Sequence, residues 1–306
     1  MNMQFLLDNF IGNKSNIIER LENARYRSVP RSYYDFLTVV PVCGRNKHLA
    51  QFIKCFNECR QESENSHRMV VVEHSNNPEA IDMCIQHDID YIFMNKNKDL
   101  FNKCLSMNIG SFLHDSKYIH FHDVDLWMPK HFWKQLRDNL NGKDIVQSFA
   151  GRRVNYLNEQ ISNEIFSNHI SVEQAIVRPN SFHTGRPGAP GGSIVIKREL
   201  FNKVGGFDPY YFWAYSIEDQ FFVDKIELFK KFVGCDNPRI EMFHLWHPSN
   251  EKVTPLPVRN KGLKIQKYFI HLNNEEKLKL VRMFEDFLQL QKQSVLNRIA
   301  AESHKI

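Results

Sequence analysis

Four short apolar runs, separated by segments with helical spacing, constrain the fold of this chain most strongly. The runs are rich in β-branched and aromatic residues, so each predicts a buried strand. They cover residues 35–42, 68–73, 91–94 and 118–122, and the predicted helices between them cover 47–59, 79–86 and 100–113. This β-α-β-α-β-α-β order predicts an α/β fold with a mixed, mostly parallel central sheet flanked by helices.

The rest of the chain carries weaker patterns. Residues 4–28 have helical spacing interrupted near Gly12, and residues 274–298 form a charged amphipathic helix that we expect to pack on the domain rather than on a membrane or a partner. The polar segment 150–192 ends with four glycines and two prolines in eight residues, so we expect a long mobile loop, with a lid over the sheet at 185–192. Further strands are predicted at 193–197 and 239–243, and further helices at 130–140, at 199–204 and from residue 218.

Composition narrows the classes of function. The chain has 306 residues and a formal net charge of +5, a small and scattered excess that favours anionic small molecules as ligands and argues against nucleic acid. No segment reaches the ~18–20 apolar residues of a membrane-spanning helix, and the first ten residues do not resemble a secretory or transit signal. Six cysteines without a CxxC pair are expected to be free thiols in a reducing compartment. We therefore expect a cytoplasmic protein with at most a peripheral membrane association.

The acidic triplet Asp123-Val-Asp125 directly follows the fourth predicted strand. Ligands of open α/β sheets bind beyond the carboxyl ends of the strands. Two carboxylates at such an end can hold a divalent cation that also binds a diphosphate. Short acidic triplets are also common in solvated turns, but the apolar strand before this one favours a metal site.

Two further segments offer groups for chemistry. His244 and His247 could join Asp125 in holding a cation, or could flank the buried Trp246 between them; no third His or Cys nearby completes a zinc site. The adjacent acids Glu218 and Asp219 could be capping residues at a helix start, or one of them could act as a general base.

Four segments resemble motifs of the β-1,4-galactosyltransferases and, in outline, of bacterial chondroitin-type polymerases. Their order and spacing agree over roughly residues 36–248. The segments are Pro41-Val-Cys-Gly-Arg45-Asn-Lys-His48-Leu49; Phe101-Asn102-Lys103 with Asn108-Ile109-Gly110; Asp123-Val-Asp125-Leu126; and Gly191-Gly192-Ser193 through Gly205-Gly206-Phe207 to Trp213…Glu218-Asp219. The resemblance implies the GT-A glycosyltransferase fold, a UDP-sugar donor, a carbohydrate or glycosylated acceptor, and Mn²⁺ as cofactor with Mg²⁺ as the alternative.

The resemblance also implies roles for individual residues. Asp219 would be the general base, and Glu218 would bind sugar hydroxyls. Asp125 and His247 would hold the metal, with His244 as a third ligand. The residues that would bind the nucleotide sugar are Pro41, Arg45, Phe101, Lys103, Asp123, Gly191, Gly192 and Tyr215. The implied reaction is an inverting transfer of a hexose or an N-acetylhexosamine to an acceptor hydroxyl.

Departures from the family pattern keep other functions open. Cys43 replaces an arginine, and Ala214, Ser216 and Ile217 replace glycines, which would favour a non-catalytic module. Lys103 also replaces an arginine but keeps its charge, and the small Ala189 replaces an aromatic residue beside the sugar, which could admit an N-acetyl group. The alternatives are a non-catalytic module that binds UDP-sugars or carbohydrates, and a sugar-nucleotide hydrolase or nucleotidyltransferase. The expected domains are an N-terminal helical extension (1–30), the GT-A domain (31–270, with a nucleotide-binding half at 31–130 and an acceptor half at 131–270) and a C-terminal amphipathic helix (271–306).

Overall fold

The computed structural model describes residues 2–96, 100–149, 153–185, 190–214, 216–232, 240–248 and 254–303. Helices and strands alternate over most of these residues. Their order is α1 (Asn2–Glu22), β1 (Arg25–Arg27), β2 (Tyr33–Val42), α2 (Asn46–Gln61), β3 (His67–Ser75), α3 (Ile81–Gln86), β4 (Asp90–Asn95), α4 (Lys103–Phe112), β5 (Asp115–His122), β6 (Leu126–Trp127), α5 (Phe132–Leu140), β7 (Ile145–Gln147), β8 (Val154–Leu157), α6 (Glu159–Phe166), α7 (Val172–Ile176), β9 (Phe182–Thr184), β10 (Ser193–Lys197), α8 (Arg198–Lys203), α9 (Glu218–Ile226), β11 (Met242–His244), α10 (Leu256–Ile270) and α11 (Asn274–Ser303).

The central sheet confirms the prediction of a mixed, mostly parallel arrangement. Among the described residues its strand order is β1-β4-β3-β2-β5-β10-β7. The four predicted strands β2 to β5 pair in parallel, in the order β4-β3-β2-β5. Strand β10 runs antiparallel to both β5 and β7, and β1 runs antiparallel to β4. The parallel strands therefore bring their carboxyl ends, and the residues that follow them, to one edge of the sheet.

Helices cover both faces of this sheet and bury its side chains in two apolar cores. Val39 faces the core that contains α4, and the next residue, Val40, faces the core that contains α2. The close approach of α4 depends on Gly110, because a Cβ there would lie 2.5 Å from Cγ1 of Val39. This tight packing fixes the start of α4, which carries Lys103, relative to the strands.

The prediction of a long irregular loop at 150–192 is wrong over residues 154–184. These residues form β8, α6, α7 and β9, and the strands join a second sheet in the order β6-β11-β8-β9. Polar residues that suggested a loop are helix caps: the Asn158 side chain accepts from the Ile161 N–H, and Ser171 forms a capping box with Gln174. The segment is therefore a folded layer beside the acidic turn.

The terminal helices pack on the α4 side of the central sheet. Helix α1 continues through Gly12 without the expected interruption. Helix α11 contacts α1, α4 and α8, in agreement with its expected packing on the domain. Its apolar face is buried and includes Leu280, Phe284, Phe287 and Leu288. None of the helices in the described part of the chain is long and apolar enough to cross a membrane.

Candidate active site

The acidic triplet lies in a tight turn after β5. The Asp123 N–H donates to the Gly192 carbonyl at 2.8 Å. The Leu126 N–H donates to the Asp123 carbonyl at 3.2 Å and closes the turn. The Asp125 carbonyl accepts from the Leu245 N–H at 2.8 Å, which ties the turn to the end of β11. As a result, His244 at the end of β11 and His247 three residues beyond it lie beside the acidic turn.

Asp125, His244 and His247 form one cluster, which we call the imidazole cluster. Their potential ligand atoms all lie within 4.8 Å of one another. Nε2 of His247 is 3.2 Å from Oδ2 of Asp125, and Nε2 of His244 is 3.6 Å from Oδ1. The Arg45 guanidinium forms a salt bridge with Asp125, and its second nitrogen is 3.3 Å from Nδ1 of His247. The cluster therefore joins residues that are far apart in the sequence.

Electrostatics make the imidazole cluster suitable for a cation. Burial alone would raise the pKa of Asp125, but His244, His247 and Arg45 outweigh it and hold that pKa well below its usual range. Burial lowers the pKa of His244, which favours the neutral imidazole that can ligate a metal. One carboxylate with two imidazoles suits Mn²⁺ or a similar divalent ion and leaves coordination positions for diphosphate oxygens.

A second cluster, the lysine cluster, contains Lys103, Asp123 and Asp219. Nζ of Lys103 is 2.8 Å from Oδ1 of Asp123 and 3.3 Å from Oδ2 of Asp219. Burial opposes the charge on Lys103, yet the nearby acids raise its pKa well above the usual value. The pKa of Asp123 is raised to about 6 by burial, against the opposing effect of Lys103. Asn102 caps the start of α4 through the Leu105 N–H and so holds Lys103 in place.

Helix α9 contributes the adjacent acids, and they differ in environment. Glu218 is 6% exposed and accepts the Ser216 N–H at 2.9 Å. Burial, followed by repulsion from Asp219, raises the pKa of Glu218 to about 7. The Asp219 side chain is 22% exposed and contacts the Lys103 ammonium. Asp219 is thus the acid of this pair with the greater access to solvent and with a cation beside it.

Gly191 allows the backbone to approach the acid of α9. A Cβ on this residue would lie 1.9 Å from Oδ2 of Asp219. The Gly191 carbonyl is fixed by Nε2 of Gln147 at 2.7 Å. Gly192 has a positive φ of 89°, and a Cβ there would lie 2.9 Å from Leu126 in the acidic turn. These two glycines therefore connect β10 to both clusters.

The remaining predicted site residues have no contact with the two clusters that the described residues show. Pro41 is buried near the end of β2, four residues before Arg45. Phe101 precedes α4, with its ring 6.0 Å from that of His74. Tyr215 and Ala189 lie outside the described residues, as do positions 186–188 of the expected lid.

Sequence reasoning missed an aromatic row beside the imidazole cluster. The ring of Tyr156 on β8 is 5.0 Å from that of His244 and stacks on His183 of β9 at 5.3 Å. Strand pairing places Tyr156 opposite His244 on one side and His183 on the other, so the three rings share one face of the second sheet. The polar composition of 150–192 predicts a loop, and only the short alternation at 154–157 indicates this strand.

A long-range contact of His48 was also missed. Its Nε2 donates to the Trp246 carbonyl at 3.1 Å, which helps hold the segment between His244 and His247 against α2. Burial lowers the pKa of His48 to about 4. His48 belongs to the first motif of the resemblance, but its partner lies almost two hundred positions away.

Several solved structures resemble this fold at low sequence identity. The structure of S. aureus TarS aligns with a TM-score of 0.50 at 14% identity and covers 79% of this chain and 41% of that one. Drosophila β1,4-galactosyltransferase 7, solved with xylobiose, aligns at 0.42 with 16% identity over 71% and 72% of the two chains. Glucosyl-3-phosphoglycerate synthase from Mycobacterium tuberculosis, solved with Mn²⁺, UDP and glucosyl-3-phosphoglycerate, aligns at 0.47 with 12% identity over 77% and 80%. A search of curated protein sequences gives no match.

The architecture is that of a GT-A glycosyltransferase, which confirms the fold implied by the resemblance. The sequence matches the family described as glycosyltransferase like family 2 over residues 39–286. Because this match covers most of the chain, the protein belongs to that family and is an enzyme of the glycosyltransferase class.

Proposed function

We propose that the protein is a metal-dependent inverting glycosyltransferase that moves a hexose or an N-acetylhexosamine from a UDP-sugar to a hydroxyl group of a glycan or other acceptor. The observation that carries this proposal is the pair of clusters on the turn after β5. One cluster offers ligands for a cation, and the other holds a partly exposed carboxylate beside an ammonium group. These are the two charge requirements of glycosyl transfer from a nucleoside diphosphate to a hydroxyl.

The imidazole cluster would bind the metal ion. Asp125, His244 and His247 would be its ligands, and the bound ion would supply positive charge to the departing diphosphate. Arg45 reaches the same carboxylate and adds a planar cation that can bind phosphate oxygens in a bidentate manner. The Arg45 guanidinium would therefore add positive charge beside the metal ion in the imidazole cluster.

Lys103 would contribute a second positive charge. Its ammonium lies between Asp123 and Asp219, so it connects the acidic turn with the start of α9. A lysine here provides a point charge without the fixed geometry of a guanidinium. We infer that it stabilises negative charge on the diphosphate and orients the carboxylate of α9.

Asp219 would remove the proton from the acceptor hydroxyl as that oxygen attacks the anomeric carbon. Its side chain is partly exposed, so it can contact an acceptor that enters from solvent. Glu218 is less suited to this task by its position, because it is buried and its carboxylate accepts the Ser216 N–H. Glu218 would instead hold the start of α9 and bind sugar hydroxyls.

The test is the variant Asp219→Asn. Loss of a general base typically costs about 10²–10⁴-fold in rate. We therefore expect the rate of sugar transfer from the UDP-sugar to fall by at least about 100-fold. Binding of UDP, measured by calorimetry with Mn²⁺, should remain within a few-fold of wild type. Asp82→Asn, a change at an exposed acid on α3, is the matched control and should leave both unchanged. Transfer by Asp219→Asn at the wild-type rate would remove Asp219 as the base.

Product analysis separates the proposal from its rivals. Purified protein is incubated with Mn²⁺ and a series of UDP-sugars, including UDP-galactose and UDP-N-acetylhexosamines, with and without glycan acceptors. A transferase releases UDP at a rate that rises with acceptor and yields an extended glycan. A hydrolase releases UDP and free sugar at the same rate without acceptor, and a binding module binds the donor without releasing UDP. Either of the last two results would contradict the proposal.

A further inference from the structure

Helix α10 has an apolar stripe on its outer side, which the transferase site does not use. Leu256, Leu263 and Ile270 are 66%, 52% and 50% exposed. Their spacing of seven residues is close to two helical turns, so they lie along one line of the helix over about 21 Å. We call these three residues the α10 stripe. An aligned set of exposed large apolar side chains on one helix is typical of an interaction surface.

The opposite side of α10 is packed on the protein. Gly262, Ile265 and Phe269 are buried. The ring of Phe269 is 4.9 Å from that of Phe221 in α9, and a Cβ on Gly262 would lie 2.1 Å from Oγ of Ser216. The helix is therefore held by its inner face, and the α10 stripe does not belong to the core.

Positive charge accompanies the α10 stripe. The helix contains four basic residues, Arg259, Lys261, Lys264 and Lys267, and no acidic residue. At 100° per residue, Arg259 and Lys267 fall on either side of the stripe. Lys267 and Lys264 are exposed, with the Lys264 ammonium 4.6 Å from the centre of the Phe5 ring. The outer face of the helix thus combines a line of apolar side chains with basic residues.

We propose that this face of α10 docks on an anionic phospholipid bilayer. Apolar side chains of an interfacial helix enter the boundary between headgroups and acyl chains, while lysines and arginines reach the phosphate groups beside them. Lysine and arginine side chains near a membrane surface are attracted to anionic lipids, and this attraction weakens as the salt concentration rises. A second copy of the chain is a poorer occupant, because pairing two such stripes would bring basic side chains against each other.

The experiment is co-sedimentation of the full chain with vesicles. Vesicles of equal parts phosphatidylcholine and phosphatidylglycerol are compared with pure phosphatidylcholine, at low and at high salt. We expect binding to the anionic vesicles at low salt and at least about a tenfold weaker association with the neutral ones. The triple variant Leu256→Ser, Leu263→Ser, Ile270→Ser and the double variant Lys264→Glu, Lys267→Glu should each lower the association with anionic vesicles by about tenfold or more.

Controls keep the result specific to this surface. Leu290→Ser and Val177→Ser remove exposed apolar side chains elsewhere, 55% and 80% exposed, and should bind vesicles like wild type. Circular dichroism and UDP binding should be unchanged in every variant, so a failure of docking is distinct from a failure of the transferase function. Equal binding of wild type and triple variant, or no binding of wild type to anionic vesicles, would overturn the proposal. So would a wild-type dimer in solution that the triple variant dissociates.

Discussion

Replacing Gly191 with alanine is expected to disable the candidate base without changing any charged residue. An ideal Cβ on Gly191 would lie 1.9 Å from Oδ2 and 2.5 Å from Cγ of Asp219. Ordinary van der Waals contact begins near 3.4 Å, so the carboxylate or the backbone must retreat by about 1.5 Å. The Gly191 carbonyl is held by Gln147, so we expect the side chain of Asp219 to move.

The size of the effect follows from this displacement. A misplacement of about 1 Å at a reacting group can cost about 100-fold in rate. Movement of Asp219 would also disturb its contact of 3.3 Å with Nζ of Lys103. We therefore expect kcat to fall by about 100-fold or more, while UDP binding at the imidazole cluster stays close to that of wild type.

The assay is UDP release with donor, acceptor and Mn²⁺, together with a thermal melt. Gly12→Ala is the matched control, because a Cβ at Gly12 meets nothing within 4 Å and lies in the interior of α1. This control should keep full activity and gain about 0.5–1 kcal/mol of stability from the improved helix propensity. If Gly191→Ala melts normally and transfers sugar within a few-fold of wild type, the inferred dependence on the position of Asp219 is refuted.

Three further predictions concern metal binding, stability and pH. His247→Ala should weaken Mn²⁺ binding by at least about tenfold, as measured by electron paramagnetic resonance of the free ion, whereas His169→Ala at an exposed position should not. Asp90→Ala leaves the buried Arg68 without its bidentate partner and should cost about 3–5 kcal/mol in urea unfolding; a loss below 1 kcal/mol would contradict this. Because the pKa of Glu218 is raised from 4.5 to about 7, the folded state holds a proton that the unfolded chain releases, and stability should fall as pH rises through that window. Glu218→Gln should flatten this part of the stability–pH curve in thermal melts, and an unchanged slope would exclude Glu218 as its source.

The parallel part of the central sheet could be predicted because its strands identify themselves locally. Strands β2 to β5 are apolar runs whose side chains are buried on both faces, and helices connect them, which requires parallel pairing. The second sheet could not be predicted in this way. Strand β11 has three residues and pairs with β6 and β8, which lie far away in sequence. Such short strands are stabilised by their neighbours rather than by their own composition.

In the candidate site, too, the local motifs were predictable from the sequence, whereas the contacts between distant segments were not. The acidic turn was predictable from the strand before it, and His244 and His247 were candidates from their residue type and spacing before the family resemblance gave them a role. The bridge from Arg45 to Asp125 and the contact of Lys103 with Asp219 were not predicted, because each joins residues at least 80 positions apart. Tyr156 is not indicated by the sequence, because the polar composition around its short strand predicts a loop. Motif patterns thus identified which residues carry chemistry but not which of them contact one another.

The turn after β5 is what gives the two acids of the triplet different properties. In a continuing strand, Asp123 and Asp125 would point to the same face, since side chains alternate with a period of two. The hydrogen bond from the Leu126 N–H to the Asp123 carbonyl ends that alternation. Asp123 then contacts Lys103 from α4, while Asp125 contacts Arg45 and the two histidines of the imidazole cluster. Their pKa values shift in opposite directions as a result, upward for Asp123 and downward for Asp125. The turn at 123–125 therefore holds the Asp125 carboxylate against the Arg45 guanidinium on one side. On the other side, Asp123 binds the Lys103 ammonium, which also contacts Asp219.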